Sequence, residues 1–142
     1  MEARFFRLDR IDVSAGTEKE PFAEVEVFHL QPGTARVESA TGDGPVDALY
    51  NAIDAAVGSP HKLLNYMIRS VTEGSDALGE AAVLVSYGDV LFRGVARDTD
   101  VLQASANAYV EALNKMEAFR HDEENKDFVR GGIIESFRSG DE

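Results

Sequence analysis

The chain repeats its own pattern at an offset of 56 residues, and that repeat limits its fold more than any other feature. Ala40, Ala48, Asn51 and Ala52 fall on Ala96, Ala104, Asn107 and Ala108, and Val46 falls on Leu102. The order of elements agrees. Residues 5–13 alternate as a strand, with Phe6 and Leu8, then Ile11 and Val13 after a slip. A polar loop, 14–21, leads to 22–30, where Ala23, Val25 and Val27 share one face and acidic residues the other. Gln31-Pro32-Gly33-Thr34 is a turn, and 35–40 a short strand. A helix then starts at Pro45, carries Val46, Leu49, Tyr50, Ile53 and Val57 at helical spacing, and stops at Gly58-Ser59-Pro60. The second half reads likewise. Residues 63–72, 81–87 and 90–96 are strand-like, the last two joined by a Gly88-Asp89 hairpin turn. A long helix follows from about Thr99, its expected cap, with Asp100 complementing the dipole and Val101, Leu102, Ser105, Tyr109, Ala112, Leu113 and Met116 on one face.

The expected fold is therefore α+β: a tandem βββα repeat, two three-stranded sheets with helices, at about 5–58 and 61–119 of a domain covering 1–120. Residues 121–142 read as a charged C-terminal tail: an add-on element, a partner-binding tail or a disordered one.

Composition narrows the function. With 14 basic and 26 acidic residues the net charge is −12, which excludes nucleic acid and anionic membrane as partners, since both need a basic face. The absence of cysteine removes disulfides, thiolate metal sites and thiol nucleophiles. No apolar run approaches the roughly 20 residues of a membrane span. Met1-Glu2-Ala3-Arg4 does not begin a signal peptide, so a cytoplasmic location is expected.

Catalytic chemistry finds no foothold. His29, His61 and His121 are scattered, without zinc-ligand spacing. Asp98 and Asp100 suit helix capping, and Ser14, Ser70, Ser86 and Ser105 lack a nucleophile-elbow context. Gly42-x-Gly44 is followed by Asp47 where a dinucleotide fingerprint needs its third glycine, and the lysine of a phosphate loop is missing.

Two stretches suit binding. In Gly42-Asp43-Gly44-Pro45-Val46-Asp47 a two-glycine turn meets a proline-started helix. Glycine allows positive φ and close approach of backbone, and the free N–H groups of a helix start form a receptor for carboxylate or phosphate. The second stretch, 63–80, reads as a strand and a glycine-containing loop, with Tyr66, Ile68 and Ser70 on one face near Leu63: core, or one wall and the lid of a small pocket.

Gly42-Asp43-Gly44-Pro45-Val46-Asp47-Ala48, Leu64-Asn65-Tyr66, Thr72-Glu73-Gly74-Ser75-Asp76-Ala77-Leu78-Gly79, Gly94-Val95-Ala96-Arg97-Asp98-Thr99-Asp100-Val101, then Ala104-Ser105 and Ala112-Leu113-Asn114, occur in that order. Over about 5–120 the chain thereby resembles the C-terminal allosteric domain of 2-isopropylmalate synthase, an acyltransferase that commits carbon to leucine biosynthesis. The resemblance implies a dimerising βββα-βββα fold that binds leucine, or another branched-chain amino acid, near the dimer interface and relays feedback inhibition to the synthase's catalytic barrel. It implies no cofactor in this chain, because divalent metal and acetyl-CoA belong to the barrel, which is absent from it. It places Gly42, Gly44, Pro45, Val46 and Asp47 at the rim and floor of the effector site. Leu63, Tyr66 and Ser70 line it, Ala77 closes it, and Arg97 to Asp100 approach from the repeat-related turn. Asp47 or Asp100 would receive the ammonium, and Val46, Leu63 and Ala77 the isobutyl group. Two alternatives stay open: the isoleucine-sensing domain of citramalate synthase, and a structural dimerisation module without ligand.

Overall fold

The computed structural model describes residues 5–73 and 76–133, without the side chains of 72–76 and 125–133. The elements run β1 (Phe6–Gly16), β2 (Lys19–His29), β3 (Thr34–Thr41), α1 (Pro45–Val57), β4 (Lys62–Glu73), β5 (Asp76–Tyr87), β6 (Val90–Asp98) and α2 (Val101–Ile133). Two antiparallel three-stranded sheets result, ordered β1-β2-β3 and β4-β5-β6, the expected tandem βββα arrangement.

Alternation decides which face of each sheet is covered. Ala23, Val25 and Val27 of β2, and Ala81, Val83 and Val85 of β5, are buried, and each repeat's helix lies against its own sheet. Leu49, Ile53, Tyr109, Leu113 and Met116 complete a core shared by both repeats. Burying a side chain of that size contributes about 1.5–3 kcal/mol. Small residues set how close α2 can come. A Cβ on Gly94 of β6 would stand 2.0 Å from the Ala108 carbonyl oxygen, and Ala104, Ala108 and Ala112 recur on that side of α2. The repeats are also joined by Asn114 of α2. Its Oδ1 accepts the Phe5 and Phe6 N–H groups at 2.6 and 2.9 Å, while Nδ2 donates to the Phe6 carbonyl at 3.0 Å.

The strands outrun their hydrophobic patterns. β1 and β2 continue through the expected 14–21 loop, with Gly16 paired to Lys19. β5 begins at Asp76 rather than at 81, because Ala77 and Gly79 give no apolar signal although both are paired, with Thr72 and Ser70. Gly79 is required by packing: a Cβ there would meet Val101 Cγ2 at 2.8 Å. α2 carries on through 121–133, the start of the segment read as a tail; the charged sequence there has no apolar face to signal a helix. Gly74, Ser75 and residues 134–142 lie outside the described residues.

Candidate functional site

The start of α1 is built as an open donor site. Gly44 is the N-cap, with φ −153° and ψ 177°, and offers no side-chain cap. Its carbonyl accepts the first helical bond, from the Ala48 N–H at 2.9 Å. Pro45 has no N–H, so the donors at this helix end belong to Val46 and Asp47. The Asp47 carboxylate accepts the Asp43 N–H at 2.8 Å, closing the turn.

The two glycines serve differently from the sequence-based expectation. Neither has positive φ, a conformation that among the described residues belongs to Gly33, Gly58 and Gly88. Gly42 is needed for close approach: a Cβ would lie 2.5 Å from the Ala48 nitrogen and 2.7 Å from Asp47 Oδ2. Gly44 is in extended backbone that any residue adopts, and a Cβ there would meet nothing within 4 Å. It leaves space empty.

That space belongs to a cleft of about 460 Å³ lined by Asp43, Gly44, Pro45, Val46, Asp47 and Tyr66. Tyr66 of β4, 42% exposed, stands edge-on to the buried Tyr50 ring with centroids 5.2 Å apart. Tyr50 is itself fixed, its hydroxyl donating to the Ser105 carbonyl of α2 at 3.3 Å. Burial pushes the Tyr50 phenol well above its ordinary pKa, so it stays neutral.

Of the residues expected to form the site, Gly44, Pro45, Val46, Asp47 and Tyr66 gather round the cleft, with Gly42 packed against the helix start behind them. The rest lie elsewhere in the protomer. Leu63 pairs with Val85 and packs on the core. Ser70 and Ala77 are exposed near the end of the β4–β5 hairpin; Ala77 faces Thr72, roughly 20 Å of strand beyond Tyr66. Asp100 is the cap of α2 in place of the expected Thr99: its Oδ1 accepts the Leu102 N–H at 2.9 Å and its carbonyl the Ala104 N–H at 3.0 Å. Asp98 accepts the Asp100 N–H at 2.9 Å, and Arg97 donates to Glu80 at 3.1 Å. Asp43, part of the marked turn but given no role of its own by the sequence, also lines the cleft; its place between Gly42 and Gly44 is the signal for it.

At the repeat offset Asp100 stands where Gly44 does, so α2 caps itself and α1 does not. The asymmetry leaves the donors of one helix start, and not of the other, without a side-chain cap. A larger groove of about 590 Å³ lies over α2 between β1 and β6, but side chains of α2 engage the strands flanking it. Glu111 accepts the Val95 N–H at 2.8 Å and Lys115 donates to the Arg93 carbonyl at 2.7 Å. His29 is structural, its Nε2 2.8 Å from the Ala56 carbonyl oxygen, and His121 stacks near Phe5.

Over residues 1–117 the sequence matches the family described as the LeuA allosteric (dimerisation) domain. The chain belongs to this family. The chain is 47% identical over 132 residues to 2-isopropylmalate synthase of Salinibacter ruber, covering 93% of this chain and 24% of that protein. It is 43% identical over 113 residues to the 2-isopropylmalate synthase of a Synechocystis species, covering 80% of this chain and 21% of that protein. The corresponding enzyme of Gloeothece citriformis is 41% identical over 113 residues, with the same coverage. The chain thus spans between a fifth and a quarter of the length of these curated relatives. No helix among the described residues is long and apolar enough to cross a membrane.

Proposed function

We propose that the chain is the leucine-sensing regulatory module of a 2-isopropylmalate synthase, and that the cleft at the start of α1 holds the amino acid. The observation that carries this reading is the uncapped N-terminus of α1 opening into a cleft beside Tyr66. A zwitterionic aliphatic amino acid needs N–H donors for its carboxylate, an acid for its ammonium and an apolar wall for its side chain. The Val46 and Asp47 N–H groups supply the first, aided by the helix dipole. Asp43 suits the second better than Asp47 or Asp100, whose carboxylates already serve as caps. Pro45, Val46 and the Tyr66 ring form the third.

The cleft is open on one side, where the homodimer would close it, and binding would shift an equilibrium of arrangements sensed by the catalytic part of the synthase. Metal and acetyl-CoA chemistry would belong to that part. The names of the relatives favour leucine over isoleucine. Isothermal calorimetry with leucine, isoleucine and valine tests the proposal, leucine being expected to bind tightest. Heat from none of the three would leave a dimerisation module without ligand as the surviving reading, and preference for isoleucine would point to the citramalate synthase type.

A further inference from the structure

Asp54, His61 and Tyr109 meet where the two repeats join, and nothing in the effector reading uses them. His61 follows the Gly58-Ser59-Pro60 linker, and only 6% of its side chain is exposed. Nδ1 lies 2.7 Å from the Ser59 carbonyl oxygen, which can only accept, so this nitrogen carries a proton. Nε2 lies 3.0 Å from Asp54 Oδ1 of α1 and 2.8 Å from the Tyr109 hydroxyl oxygen of α2. Tyr109 spends its own proton on Asp54 Oδ1. Both partners of Nε2 are therefore acceptors, and the arrangement is satisfied only when Nε2 also carries a proton.

We propose that Asp54, His61 and Tyr109 form a proton-dependent latch between the repeats, closed while His61 is an imidazolium. The imidazolium then joins linker, α1 and α2 at one point. On deprotonation the bare Nε2 lone pair faces a carboxylate and a hydroxyl oxygen; Tyr109 must turn its proton from Asp54 to the ring, or the ring must move. Burial alone would pull the His61 pKa down, but the hydrogen bonds to Asp54 and Ser59 and the Asp54 charge outweigh it, and the net direction is up. The other charged groups on the elements packed here make different contacts or face solvent. Glu117 of α2 takes the Ser59 hydroxyl at 2.9 Å and pairs with Arg120, and Lys62 of β4 is exposed. Tyr109 is held neutral by burial first and by Asp54 second.

The latch reaches the cleft through rings. Tyr50 packs on Tyr109 with centroids 4.6 Å apart and on Tyr66 at 5.2 Å. A pH titration of this chain, labelled for NMR at histidine and tyrosine, tests the proposal without any amino-acid ligand. His61 should show both ring nitrogens protonated at pH 6 and titrate above the ordinary 6.5, with Tyr109 and Tyr66 ring resonances following the same midpoint. Asp54→Asn, at a side chain 43% exposed, should fold normally and lower that midpoint by about one unit or more. A neutral His61 at pH 6, an unchanged midpoint in Asp54→Asn, or Tyr109 resonances that ignore the titration would each overturn the latch. A silent Tyr66 would overturn its reach to the cleft.

Discussion

Gly42 and Gly44 look interchangeable in the sequence and are opposites in the fold. Gly42→Ala drives a methyl to 2.5 Å from the backbone nitrogen of Ala48 and 2.8 Å from the Asp47 carbonyl carbon, and these backbone atoms cannot yield as a side chain could. It should cost about 1–3 kcal/mol, read as a lower denaturation midpoint. Gly44→Asp meets open space and gives α1 the cap it lacks. It should melt no lower than wild type, since an acidic N-cap satisfies free donors and complements the dipole. It should nevertheless abolish leucine binding, because the same donors are then occupied and a negative charge stands where the ligand carboxylate belongs. Calorimetry beside a thermal melt checks both halves; normal leucine binding by Gly44→Asp would misplace the site.

Among the elements, the two helices carry the contrast between the repeats. Each begins after the third strand of its repeat, and both make the same first bond, Ala48 to Gly44 and Ala104 to Asp100. Only α2 has a side-chain cap. Asp100→Ala should lower stability by about 1 kcal/mol while leaving amino-acid binding intact, measured by chemical denaturation and calorimetry on one preparation. A large loss of binding without loss of stability would return Asp100 to the effector site. The helix of 13 residues was legible end to end, because Pro45 starts it and Gly58, at φ 77°, ends it. The far part of α2 was not, since its charged stretch has no apolar side to give it a period. β5 begins before its alternation shows for a similar reason: alanine and glycine pair in a ladder without leaving a hydrophobic pattern.

At the scale of the whole molecule the repeats depend on each other. Asn114→Ala removes the amide that satisfies three backbone groups of Phe5 and Phe6, and should cost about 1–3 kcal/mol. His61 adds a pH dependence with a definite sign. Its folded pKa is raised above the unfolded 6.5, so its contribution is fully present below that value and fades as pH rises through the folded pKa. The stability advantage of wild type over His61→Gln should therefore be greatest near pH 6 and shrink toward pH 9; an advantage that grows with pH would contradict the sign. From its own periodicities the sequence determined the two βββα units, because alternation and helical spacing are local and each recurs at the same offset. Its motifs also marked the turn at α1, because proline and glycine fix backbone options within a few residues. Only the tertiary structure decided which marked residues meet. Tyr66 reaches the cleft while Ser70 and Ala77 on the same hairpin do not, since strand length sets distance. Asp54, His61 and Tyr109 converge from two helices and a linker, a contact that exists only once the helices pack.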